Sequence, residues 1–128
     1  MKVSSIYEPG IMAAETGETL KSAAIRMHDH ELSSLAVFER NHLTGIVTER
    51  DLARAIAEGA DPVMTEVRDY MTEGVVKVSP ETDVSEAAAM MLMLGARHLP
   101  VFEKGRMIGM VSARDLLHAL TKPGARLE

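Results

Sequence analysis

Two segments carry the residue types that could do chemistry: Gly45-Ile46-Val47-Thr48-Glu49-Arg50-Asp51 and Gly109-Met110-Val111-Ser112-Ala113-Arg114-Asp115. In each, an apolar run ends on a hydroxyl residue, and an Asp follows three positions later with an Arg just before it. Two chemistries fit that spacing. In the local one, Thr48 or Ser112 caps a helix and Asp51 or Asp115, at the third helical position, reaches back to complete a capping box. Such a box stabilises a helix start by about 1 kcal/mol and requires no ligand, so on spacing alone it is the simpler account. In the other, the free N–H groups and partial positive charge of the helix start receive a phosphate, with the hydroxyl as a further donor. Arg50 and Arg114 add charge-assisted contacts. An ionised Asp offers only acceptors and suits paired hydroxyls such as those of a ribose. Phosphate plus ribose amounts to a nucleotide.

These segments belong to an internal repeat. Sliding the chain on itself by 64 residues aligns Val3–Ile56 with Val67–Leu120 without a gap, and 15 of the 54 pairs are identical. The period sets the architecture. Leu20, Ala23, Ala24 and Met27 make one apolar helix face, repeated by Val84, Ala87, Ala88 and Met91. Apolar runs at Leu35–Phe38 and Leu43–Val47, and at Leu99–Phe102 and Met107–Val111, read as strands on either side of polar turns. A second helix follows in each copy, with Leu52, Ala55 and Ile56, or Leu116, Ala119 and Leu120, on its buried face. A further strand is expected before each first helix, at Ile11–Ala14 and Val75–Val78. The expected fold is therefore α+β, two β-α-β-β-α repeats packed about a pseudo-two-fold axis. The first repeat covers residues 1–60 and the second 67–128, joined by a linker at 61–66. Residues Thr121–Glu128 lie beyond the aligned copy.

Composition narrows the function classes. With 128 residues the chain fits one domain or two small halves sharing a core, not a multidomain enzyme. It has no Cys, which excludes disulfides, thiolate zinc sites and cysteine nucleophiles. A net charge of -5 gives no uniform positive field for a polyanion, so nucleic acid is not an expected partner. The longest apolar stretch, Ala87–Leu94, is far short of the ~20 residues of a membrane span. The opening Met-Lys-Val-Ser-Ser-Ile-Tyr-Glu-Pro-Gly lacks the apolar core of a signal peptide. A cytoplasmic location is the expectation.

On the segments GIVTERDL and GMVSARDL, the run Arg97-His98-Leu99-Pro100-Val101, the tandem period and the break Gly59-Ala60-Asp61-Pro62, the whole chain resembles a tandem cystathionine beta-synthase (CBS) domain pair, or Bateman module. The resemblance implies that Thr48 and Ser112 contact phosphate and that Asp51 and Asp115 contact ribose. It also implies an adenine held between apolar residues, Ile46 and Met110 from the motifs and Met12 and Val76 from the short strand of the opposite repeat. Basic residues at the positions of Arg97 and His98 approach phosphates in that family. Because the first copy has Ser33 and Ser34 there, the two sites are expected to be unequal, with the Asp51 site preferring more phosphates.

The implied function is a non-enzymatic, energy-sensing regulatory module that binds AMP, ADP or ATP in clefts between the repeats and signals occupancy to a partner protein. S-adenosylmethionine ranks behind these ligands, and no cofactor is required. The resemblance further implies a homodimer formed through helix faces. The alternative is an interaction module with empty clefts, in which the motif residues act only as helix caps. The cluster His28, Asp29, His30 and Glu31 does not present ligands at i, i+4 and is better placed as a helix C-terminal feature. Met90, Met91 and Met93 read as gap-filling core or as part of a dimer surface. No catalytic constellation is evident.

Overall fold

The repeat folds as a helix, a two-stranded hairpin and a second helix twice, with the capped motif helices closing each copy. In this computed structural model residues 1–121 are described. A 3-10 turn at Val3–Ser5 leads to β1 (Glu8–Pro9), β2 (Ala13–Glu15), α1 (Leu20–Asp29), β3 (Ser34–Glu39), β4 (His42–Thr48) and α2 (Glu49–Ala57). A second 3-10 turn at Val67–Asp69 leads to α3 (Val84–Leu94), β5 (His98–Glu103), β6 (Arg106–Ser112) and α4 (Ala113–Leu120). One sheet has the order β2-β3-β4, the other β1-β6-β5. The architecture is mixed α+β, as the periodicity requires.

The chain divides into two compact units, but not at the boundaries the 64-residue period suggests. One unit is Met12–Val75; the other combines Met1–Ile11 with the described residues from Val76 to Thr121. Each copy's opening segment thus packs in the unit that holds the other copy's motif. The cause is a pair of buried valines. Val67 is fully buried with Leu20, Leu35, Val47 and Ala55, while Val3 is fully buried with Val84, Leu99, Val101 and Val111. Residues 61–66, expected as a linker, contribute to α1: the carbonyls of Thr65 and Pro62 accept the amides of Leu20 and Lys21 at 2.9 and 3.0 Å. They take up helix N–H groups that have no partner within the helix.

The first helices bury the face their spacing predicts, with Leu20, Ala23 and Met27 in α1 and Val84, Ala87 and Met91 in α3 inside. Two residues of the second helices depart from expectation. Ala55, Leu116 and Ala119 are buried, but Ile56 and Leu120 are 61% and 45% exposed. On these short helices, three to four residues after the Asp-Leu pair, the core stripe narrows to the alanine. Met91 is core, whereas Met93 is 83% exposed.

The strands expected before α1 and α3 are unequal, and Pro100 explains the difference. In the first copy β2 runs parallel to β3, and the Ala36 amide donates to the Met12 carbonyl at 3.2 Å. Its counterpart is Pro100, which has no N–H to donate. Pairing in the second copy therefore reduces to a single bridge, Val78 to Val101, with the Val78 amide on the Pro100 carbonyl at 2.9 Å and the Phe102 amide on the Val78 carbonyl at 2.8 Å. Residues 122–128, most of the tail that falls beyond the aligned copy, lie outside the described residues.

Candidate functional site

Each motif begins with a glycine because another backbone crosses it. A Cβ on Gly45 would sit 2.6 Å from the Thr72 carbonyl oxygen, and one on Gly109 would collide with the Glu8 carbonyl oxygen and the Tyr7 ring. Those neighbours belong to the segments brought in from the other copy. β1 pairs antiparallel with β6, matching Glu8 to Met110 and Pro9 to Gly109. Thr72 bridges Ile46 in the same sense, the two exchanging amide-to-carbonyl bonds of 3.0 and 2.8 Å. The motif strands are thereby held on both edges, which fixes where each helix starts.

At those starts the capping boxes are complete. The Asp51 amide donates to Thr48 Oγ1 at 3.2 Å, and Asp51 Oδ2 accepts the Thr48 amide at 2.9 Å and the Thr48 hydroxyl at 3.1 Å. In the second copy the Asp115 amide donates to Ser112 Oγ at 3.1 Å, and Asp115 Oδ2 accepts the Ser112 amide at 2.8 Å. The first helical amides are occupied as well, Glu49 N–H on the Ser33 carbonyl at 3.1 Å and Ala113 N–H on the Arg97 carbonyl at 2.8 Å. Among the described residues, the second helical amides, of Arg50 and Arg114, have no protein acceptor. Each start therefore retains one backbone donor beside an acidic acceptor.

The structure gathers the expected residues to different degrees. Ile46 is buried and Met110 half-buried, each on the strand that ends in its motif. Met12 is 37% exposed, and its carbonyl is bonded to Ala36, the register partner of Ile46. Val76 is half-buried just before the Val78 bridge. Arg50 and Arg114 are exposed on the first helical turns. Arg97 is exposed, and the half-buried His98 is the register partner of Ser112. A shallow depression along α1, lined by Thr19, Ser22, Ile25 and Arg26 among others, does not include Thr48 or Asp51. No group of three or more His, Cys, Asp or Glu that could hold a metal occurs among the described residues, nor does a helix long and apolar enough to cross a membrane.

One neighbour of Asp51 escapes the motif spacing. Arg54, three residues on and so on the same helix face, brings a guanidinium nitrogen 3.6 Å from Asp51 Oδ1. It is itself held in place: it donates to the Tyr70 carbonyl at 3.1 Å and lies over the Tyr70 ring at 4.8 Å, and the Tyr70 hydroxyl donates to Glu58 at 2.9 Å. The Asp–x–x–Arg spacing on a helix was the available signal for it. A second ionic group braces β2 to α1. Arg26 donates to the Ala13 carbonyl and to both oxygens of Glu18. Burial pushes the Glu18 carboxyl up, but the bonds from Arg26, the Glu15 amide and Ser22 outweigh it and hold the group below its usual range.

Comparison with known proteins gives one family. The CBS domain model matches residues 3–58 and 67–122. The chain is 40% identical over 121 residues to an uncharacterized 17.7 kDa protein of Acidianus ambivalens, covering 93% of this chain and 73% of that one. It is 39% identical over 111 residues to a mitochondrial CBS domain-containing protein of Arabidopsis thaliana, covering 82% of this chain and 54% of that one. Among solved structures, a protein with CBS domains from Burkholderia ambifaria superposes with a TM-score of 0.88 at 28% identity, over 95% of this chain and 93% of that one. A CBS domain pair crystallised with 5'-methylthioadenosine and S-adenosyl-L-methionine has the same fold, with a TM-score of 0.84 at 22% identity over 94% and 95% of the two chains.

Proposed function

Because the chain belongs to the CBS-domain family, we propose that it is a non-enzymatic regulatory module that binds an adenine nucleotide (AMP, ADP or ATP) at its two motif helix starts and passes occupancy to a partner protein. CBS-domain pairs are regulatory modules, and one of the same fold holds adenosyl ligands. The observation that carries the reading is that both copies build the same juxtaposition. An acceptor carboxylate, Asp51 or Asp115, stands beside a helical amide without a protein acceptor and an exposed arginine, Arg50 or Arg114. The carboxylate accepts ribose hydroxyls, while the amide and arginine receive phosphate. Ile46, Met110, Met12 and Val76 supply apolar surface for the base. Arg97 and His98 add cationic capacity that the first copy, with Ser33 and Ser34, lacks.

The exposed apolar residues of α3 and α4, Leu92, Met93, Leu94 and Leu117, support a homodimer through these helices. A second reading has an observation of its own: both capping boxes are closed without a ligand. On that reading the motifs are structural and the helices dock a protein. Thermal denaturation with AMP, ADP, ATP and S-adenosylmethionine separates the two. A ligand at 100 times its dissociation constant adds about 2.7 kcal/mol and raises the midpoint. An unmoved midpoint with all four at millimolar concentration favours the structural reading.

A further inference from the structure

Arg54 stands beside Asp51 as an ion pair at a separation that leaves room for a bridging hydroxyl. Its guanidinium nitrogen is 3.6 Å from Asp51 Oδ1, beyond hydrogen-bond length, so the two attract as charges without bonding directly. Asp51 cannot close the gap easily, because Oδ2 accepts the Thr48 amide and hydroxyl and fixes the carboxylate. Arg54 is restrained too, by the Tyr70 carbonyl at 3.1 Å and by stacking on a ring whose hydroxyl is anchored to Glu58. Two opposite charges held at that distance suit a hydroxyl, which both donates and accepts. A hydroxyl oxygen can lie within bonding distance of both atoms, giving its proton to the carboxylate and taking one from the guanidinium.

We propose that Arg54 and Asp51 form a hydroxyl-reading pair that makes the first motif discriminate ribose from deoxyribose. This rests on the reading of Asp51 as a ribose contact. The pair has no counterpart in the second copy, where the 64-residue period puts His118 opposite Arg54 and Ile6 opposite Tyr70. Among the described residues Asp115 has no ion pair. The two motifs therefore differ in how strongly they read the sugar.

The test is calorimetric titration of AMP and 2',3'-dideoxy-AMP into a chain carrying Asp115→Ala, in which Asp51 is the remaining motif carboxylate. Adding Arg54→Met is expected to weaken AMP about ten- to a hundredfold, the effect of losing one charge-assisted bond, and to leave 2',3'-dideoxy-AMP unchanged. Arg54→Lys, which keeps a charged donor, is expected to recover part of the loss. In the chain carrying Asp51→Ala instead, Arg54→Met is expected to change neither affinity. Unchanged AMP affinity overturns the proposal, and so does equal weakening of both ligands, which marks a packing role for Arg54. If the Asp115→Ala chain binds neither ligand, or binds both equally with Arg54 intact, the ribose reading of Asp51 fails first and this inference with it.

Discussion

Asp51 has two jobs that a substitution can separate. As a cap it accepts two bonds from Thr48, so Asp51→Ala should cost about 1–2 kcal/mol in urea denaturation. As a ligand residue its loss should weaken binding of a ribonucleotide at that motif at least tenfold, read by titration of the same variant. A stability loss with binding intact assigns it to capping alone. Glu18 makes a separate pH prediction. Its folded value lies below the unfolded one, so its contribution is complete above about pH 5 and lost as the pH falls through the depressed value. Glu18→Gln should therefore be about 1–2 kcal/mol less stable at pH 7, with the gap closing as the pH falls through the depressed value. Denaturation curves across that range check it, and a pH-independent gap contradicts the ionic account. The motif residues were legible in the sequence because hydroxyl, Arg and Asp recur at one spacing. The Asp51–x–x–Arg54 spacing was there to read as well, but what holds Arg54 was not, since its partner Tyr70 lies 16 residues away and has no echo in the second copy.

Among the elements, the motif strands depend on glycine for a reason composition does not reveal. Gly45→Ala must displace the Thr72 backbone, and Gly109→Ala must displace both Glu8 and the Tyr7 ring. Each should cost about 1–3 kcal/mol, with Gly109→Ala the more damaging, as measured by chemical denaturation. Equal, negligible costs would mean that β1 and the Thr72 bridge yield easily. The helices and the β3-β4 and β5-β6 hairpins follow from periodicity because each buries a regular face. The strand before α3 was misread, since Val75–Val78 has a strand's composition while its pairing depends on an amide that Pro100, 22 residues beyond Val78, cannot supply. Ile56 and Leu120 were misplaced because helical spacing gives the face but not how far the partner element extends along it.

For the whole chain, the repeat was fully legible, but which unit each opening segment packs in was not. A 64-residue period describes likeness along the sequence, whereas burial of Val3 and Val67 decides which segments pack together. If the α3 and α4 surface joins two copies, Leu117→Glu should shift the chain from dimer to monomer in sedimentation without lowering the nucleotide affinity of the Asp51 motif. An unchanged mass would move the interface elsewhere. The central claim is that the two motif starts are nucleotide sites and not merely capped helices. Its most direct test is calorimetric titration of AMP, ADP and ATP into the unaltered chain and into the Asp51→Ala, Asp115→Ala double variant. Saturable heat in the first and affinity at least tenfold weaker in a still-folded second is the predicted result. Undiminished nucleotide affinity in the double variant, or no binding by the unaltered chain, would contradict it.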